Sequence, residues 1–159
     1  MIIFVQNYID IYNIKELAYD NLAWMYIKER NYLQAIQYAK DSLNFETTSH
    51  YEELYIYIPY AYYKLDQCNE SLLHIKKYFP FLEQSHHKYF LLALQSRIND
   101  EVTKYIDYLN MYIDSLKKYS NDYEMLIFVY RELADYYKDI EDYKYLSFVQ
   151  NEIISLMSR

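Results

Sequence analysis

The sequence predicts an all-α chain: a right-handed superhelix (α-solenoid) of about four antiparallel helix hairpins, preceded by half of another. Three observations predict it. Tyrosines recur at a spacing near 36, since Tyr26 to Tyr62 is 36 positions and Tyr26 to Tyr137 is 111, three times 37. Around the outer marks the residues nearly repeat. Asn21-Leu22-Ala23-Trp24-Met25-Tyr26, with Tyr32 six residues on, answers to Glu132-Leu133-Ala134-Asp135-Tyr136-Tyr137 with Tyr143. A period between roughly 20 and 50 residues with helical content means stacked units, each burying its apolar face on the next. Lastly, glycine is absent and proline occurs only at Pro59 and Pro80. Hairpin-rich β folds and phosphate-cradling loops need glycine for positive φ and close backbone approach, so Rossmann and P-loop nucleotide sites are excluded.

Residues 1–13 read as the second helix of an incomplete repeat. Phe4-Val5-Gln6-Asn7 recurs as Phe148-Val149-Gln150-Asn151, within the second helix of the last unit. A half-repeat of this kind would leave Ile2, Ile3, Phe4 and Val5 exposed at the end of the stack, where solenoids normally carry a polar cap. The expectation is therefore the C-terminal portion of a longer protein, or an end that self-associates.

The first full unit spans 14–47. Tyr19, Leu22, Ala23 and Tyr26 fall at i, i+3, i+4 and i+7, one face of a helix. A turn follows at Arg30-Asn31. Ala35, Ala39, Ser42 and Leu43 then form a second stripe, whose small side chains let two antiparallel helices approach closely. The second unit, 50–85, reads Tyr55, Ile58, Pro59 and Tyr62, then Ser71, Leu72, Ile75 and Phe79. Inside a helix Pro59 removes the hydrogen bond to the Tyr55 carbonyl, which predicts a local bend at a cost of about 3 kcal/mol. The third unit, 86–121, is irregular: Tyr89, Leu92, Ala93 and Ser96, then Tyr105, Ile106, Leu109, Tyr112, Ile113 and Leu116. Its second helix should be unusually long, running from near Asp100 to Tyr119. The fourth, 122–159, gives Tyr130, Leu133, Ala134, Tyr137 and Tyr143, then Leu146, Val149, Ile153 and Leu156.

Composition narrows the function. Tyrosine supplies 24 of the 159 residues, and its hydroxyl wants water or a partner, so many rings should lie half-buried with the tip outward. Net charge is −7 and no Lys/Arg cluster exceeds a pair, so the basic stripe of a nucleic-acid surface is missing. Cys68 stands alone, which fits a reducing cytoplasm. The first residues lack a basic leader and are too short an apolar run to span a bilayer. The expectation is a soluble cytoplasmic protein without membrane or direct nucleic-acid contacts. His50, His74, His86, His87 and Cys68 lack any recognised zinc frame, and adjacent histidines on a helix point about 100° apart. Cys68 reads as a turn residue, and Lys117-Lys118 as helix surface. With no nucleophile, metal or cofactor frame, an enzyme is not expected.

The stripe Tyr19, Leu22, Ala23, Tyr26, Tyr32, Ala35 and Ser42 resembles the tetratricopeptide repeat (TPR). That repeat places a large residue, Leu, a small residue and Tyr in its first helix, then an aromatic, Ala and a further small residue in its second. The likeness covers most of the chain, strongly in the first and fourth units and weakly in the third. It implies a concave groove walled by the first helices, whose ligand-facing positions fall on Asp20, Asn21, Trp24 and Lys28; on Glu53, Tyr57, Tyr60 and Lys64; on His87, Phe90, Leu94 and Arg97; and on Arg131, Asp135 and Lys138. Asn and Arg suit a peptide's backbone or carboxylate, and Trp and Tyr supply rigid contact area.

The irregular repeats and the composition also resemble the peptide-sensing, quorum-sensing-type transcriptional regulators of Gram-positive bacteria, the Rap/Rgg/NprR/PlcR (RRNPP) group. That likeness implies the ligand-sensing C-terminal array of such a regulator, holding a short peptide or partner protein in its groove. The alternative is a stand-alone scaffold that mediates protein–protein interaction or forms a homodimer.

Overall fold

The structure, a computed structural model, describes residues 2–45 and 51–159, with side chains from Ile14 onward. Among the described residues eight helices follow one another: α1 (Ile2–Lys28), α2 (Tyr32–Leu43), α3 (Leu54–Lys64), α4 (Cys68–Leu82), α5 (Lys88–Ile98), α6 (Val102–Tyr119), α7 (Tyr123–Asp139) and α8 (Tyr143–Met157). Among the described residues there is no strand. The all-α expectation holds. The chain gathers into two compact units, Met1–Leu91 and Leu92–Arg159.

In the first unit α1 packs on α2 and α3, α2 on α3, and α3 on α4. Ala23, Ala35, Ala39 and Ala61 are wholly buried, and their lack of side-chain bulk lets the helices approach. Tyrosine fills the remaining volume: Tyr38 stacks on Tyr26 at 5.4 Å and meets Tyr19 at 5.7 Å between centroids. Each hairpin also carries a buried hydroxyl that crosses between its helices. Ser42 donates to the Glu16 carbonyl at 3.3 Å, and Ser71 to the Pro59 carbonyl at 2.8 Å. Pro59 sits within α3, which continues on both sides of it.

In the second unit α7 packs on α6 and α8. Tyr105, Leu109, Tyr112, Ile113 and Leu116 of α6 are buried, as are Met125, Leu126, Val129, Tyr130, Leu133 and Tyr136 of α7. Both sets follow the three- and four-residue spacing of an amphipathic helix. The 18-residue α6 ends at Tyr119, with the extra length that its sequence predicts.

The turns repeat more faithfully than the helices do. α1, α3, α5 and α7 each end on a left-handed residue: Arg30 (φ 59°), Asp66 (58°), Asp100 (58°) and Glu141 (58°). The next residue reaches back five positions, Asn31 N–H to the Tyr26 carbonyl (2.9 Å), Gln67 to Tyr62 (3.0 Å), Glu101 to Ser96 (2.8 Å) and Asp142 to Tyr137 (2.9 Å). The left-handed residue's own N–H donates three back, to Ile27, Tyr63, Arg97 and Lys138. This pair of bonds is the Schellman motif, which satisfies the last carbonyls of a helix and is usually built on glycine. Among its described residues this glycine-free chain makes it four times with a Cβ present. The intervals are 36, 34 and 41 residues.

One expectation fails at the start. The half-repeat reading needs a turn near residue 13, whereas α1 runs unbroken from Ile2 to Lys28, 27 residues. Nothing in Ile9-Asp10-Ile11-Tyr12-Asn13-Ile14-Lys15-Glu16 breaks a helix, because neither proline nor glycine interrupts it. The side chains of Ile2, Ile3, Phe4 and Val5, expected to be exposed, lie outside the described residues, as does His50.

Candidate functional site

Eight of the twelve principal groove positions belong to the first unit. Asp20, Asn21, Trp24 and Lys28 share α1 at spacings of one, four and eight from Asp20, close to one helical face. Tyr57, Tyr60 and Lys64 come from α3, and His87 from the turn before α5. The structure brings α1 and α3 together through their rings. Trp24 stacks on Tyr57 with centroids 5.5 Å apart and planes 17° from parallel. The Lys28 ammonium lies 5.5 Å from the indole centroid. Tyr60 meets Tyr32 edge-on at 6.0 Å and Phe90 at 5.8 Å, and Lys64 sits 5.4 Å from its ring.

Burial sorts these residues into two layers. Tyr57 (6% exposed), Tyr60 (4%) and His87 (5%) are buried, so they would offer a ligand ring edges at most. Asn21 and Lys28 are exposed, while Asp20, Trp24 and Lys64 are half-buried. These five are the side chains a ligand could reach.

Acidic groups gather around Asp20. Oδ1 of Asp20 is buried with no hydrogen-bond partner among the described residues. Loss of hydration, with Glu53 and Glu16 adding repulsion, pushes its carboxyl up to about 7. His87 Nε2 stands 3.6 Å from Glu53 Oε1, a spacing that suggests an ion pair. Burial, helped by His86, pushes the His87 ring down to about 3, so the imidazole is neutral at pH 7. The desolvation of a 5%-exposed ring outweighs the pull of one half-exposed carboxylate beyond hydrogen-bond range. The two histidines lie in a turn and not on a helix, with rings 4.3 Å apart. That corrects the premise that they diverge around a helix. Among the described residues no three His, Cys, Asp or Glu side chains converge to hold a metal. Cys68, expected in a turn, is the first residue of α4.

The other four positions lie in the second unit. Arg97 is half-buried, its guanidinium 5.3 Å from the Tyr136 ring and 5.7 Å from Tyr105. Its planar face is thus engaged by aromatic partners. Arg131, Asp135 and Lys138 are exposed at i, i+4 and i+7 of α7.

Sequence reasoning missed a polar cleft in this unit. It encloses about 340 Å³ among the end of α6, the start of α7 and the end of α8, with Lys117, Asp122, Glu152 and Arg159 in its lining. Lys117, read from sequence as plain helix surface, lies 3.3 Å from Glu152 and 5.5 Å from the Tyr130 ring, and Tyr130 donates to the same carboxylate at 3.1 Å. The hydrogen bond to Tyr130 is the first cause holding the Lys117 ammonium above its ordinary range. Only the wide separation of Lys117 and Glu152 in sequence hid this contact.

Among the described residues no helix is long and apolar enough to cross a membrane. No protein-family model matches the chain, and no curated protein matches it.

Proposed function

We propose that the chain is a non-enzymatic peptide-binding array of four TPR-like hairpins coiled into a right-handed superhelix, acting in the cytoplasm. The observation that carries the reading is the stack of Trp24 on Tyr57 between two first helices, with a buried carboxylate oxygen of Asp20 one turn away that has no hydrogen-bond partner among the described residues. A buried polar atom without a partner is costly where it stands, and a ligand donor would remove that cost. Aromatic rings fixed by packing supply contact area with little ordering entropy. Asn21 and Lys28 can meet a peptide's amide groups and its carboxylate. Four equal turns at intervals near the TPR period support the repeat itself.

By its likeness to the peptide-sensing regulators of Gram-positive bacteria, the array would serve as a sensor. Peptide binding then shifts a conformational equilibrium only if the two states differ in affinity for it. Trp24 is the sole tryptophan, so its fluorescence reports directly on the wall. Titration with a library of synthetic six- to eight-residue peptides should reveal sequences that change the emission and saturate. By isothermal titration calorimetry, binding should disappear in Asn21→Ala and Trp24→Phe and persist in Lys118→Ala. Saturable binding left intact by both wall variants would place the ligand elsewhere and reject the reading.

A further inference from the structure

α8 gives one face to α7 and leaves another bare. Val149 is its one buried side chain among the described residues. Tyr143 (65% exposed), Ile154 (65%) and Met157 (66%) stand in solvent, and Leu146 is half-buried between them along the helix. At about 100° per residue, Tyr143, Leu146, Ile154 and Met157 all fall within about 40° of Gln150, forming one stripe away from Val149. No member of the stripe is charged, in a chain where charged residues make up 25%.

The spacing of the stripe is palindromic. From Tyr143 the steps are 3, 4, 4 and 3, with Gln150 at the centre. A two-fold axis through Gln150 therefore matches the stripe to itself on an antiparallel copy. Tyr143 meets Met157, Leu146 meets Ile154, and Gln150 meets Gln150. A carboxamide is both donor and acceptor, so two of them on an axis satisfy each other. Methionine sulfur against an aromatic ring is a favourable contact. The charges agree with this direction, because Glu141 precedes α8 and Arg159 follows it. The antiparallel arrangement brings opposite charges together at both ends, whereas a parallel one would place like beside like.

We infer that this face of α8 is an isologous dimerisation surface whose occupant is α8 of a second copy of the chain. Isologous contacts require a patch complementary to itself under a two-fold rotation. One helix seam buries less than the roughly 800 Å² per partner of a stable complex, so the dimer is weak, with a dissociation constant of about 10–100 μM. This inference does not depend on the peptide-binding reading, because its surface lies on α8 and shares no residue with the wall of α1 and α3.

Sedimentation equilibrium of the full chain from about 1 to several hundred μM should show mass rising from monomer toward dimer across that range. Gln150→Glu and Gln150→Lys should each remain monomeric, because each sets like charges on the axis, and an equimolar mixture of the two should dimerise. Ile154→Asp should also remain monomeric while keeping its helical circular dichroism. In a Cys68→Ser background, Gln150→Cys should oxidise to a disulfide-linked dimer. Asn151→Cys, about 100° round the helix, should not. A wild-type chain that stays monomeric throughout would overturn the inference. So would a dimer that survives both Gln150→Glu and Ile154→Asp, which would use another face.

Discussion

The indole of Trp24 lies nearly parallel to the ring of Tyr57, 5.5 Å away, and so joins α1 to α3 by a contact between two first helices. Offset aromatic pairs contribute about 0.5–1.5 kcal/mol beyond their area. Tyr57→Leu keeps apolar bulk at a buried position but removes the ring. Chemical denaturation should show a loss of about 1 kcal/mol, and Trp24 emission should move to the red as water reaches the indole. Emission unchanged from wild type would mean the rings do not stack in solution.

Acid should act on Asp20 and His87 in two opposed ways. Asp20, raised from 3.8 to about 7, is protonated in the fold between those values while the unfolded chain is ionised. Its contribution therefore grows as pH falls from 7 toward 4 and is lost as pH rises through 7. His87, lowered from 6.5 to about 3, stays neutral in the fold where the unfolded chain is charged. Its contribution falls as pH drops from 6.5 toward 3. Between about 4 and 6.5 the two slopes cancel in part. Asp20→Asn should stabilise the chain at pH 8, by roughly 1–3 kcal/mol, and leave a stability that rises with pH from 3 to 6.5. His87→Gln should leave the reverse slope between 4 and 7. Melting curves across pH for wild type and both variants check the pair. Parallel profiles would show that neither group titrates as described.

The left-handed corners carry a cost that glycine would lift. A side chain at αL costs roughly 1–2 kcal/mol, less for Asp, and glycine returns part of the gain through its freer unfolded chain. Arg30→Gly and Glu141→Gly should each raise stability by about 0.5–1 kcal/mol, with Asp66→Gly closer to neutral. Urea midpoints rank the three. A drop for Glu141→Gly would contradict the turn geometry.

Close packing between hairpin helices makes volume changes expensive in both directions. Ala23 is wholly buried, and Ala23→Leu should cost about 1–3 kcal/mol by forcing α1 from its neighbours. Leu133 is 2% exposed, and Leu133→Ala should cost about 2–5 kcal/mol. Thermal unfolding reads both, and a melt unmoved by Ala23→Leu would reject the packing of α1.

The all-helical class, the turn after Lys28 and the long α6 were legible, because periodic apolar positions and small residues report directly on buried helix faces. The continuity of α1 was not, since repeat phase suggested a break and only the lack of a breaker argued against it. Tyr57 and Tyr60 were assigned to a groove although they are mostly buried. α3 carries Tyr55, Tyr57, Tyr60, Tyr62 and Tyr63 on nearly every side, so periodicity could not say which rings point inward. The turn at His86-His87 was hidden by its lack of glycine, and the Lys117–Glu152 contact by 35 positions of separation.

The corners at Arg30, Asp66, Asp100 and Glu141 share one pair of main-chain bonds, and all four residues are exposed. Residue identity at such a corner is almost unconstrained, as the mixture of one cation and three anions already illustrates. Lineages sharing this architecture can therefore exchange their punctuation freely, at a penalty of about 1 kcal/mol per corner. Kinship between such chains would persist in the path of the backbone long after it had faded from the lettering.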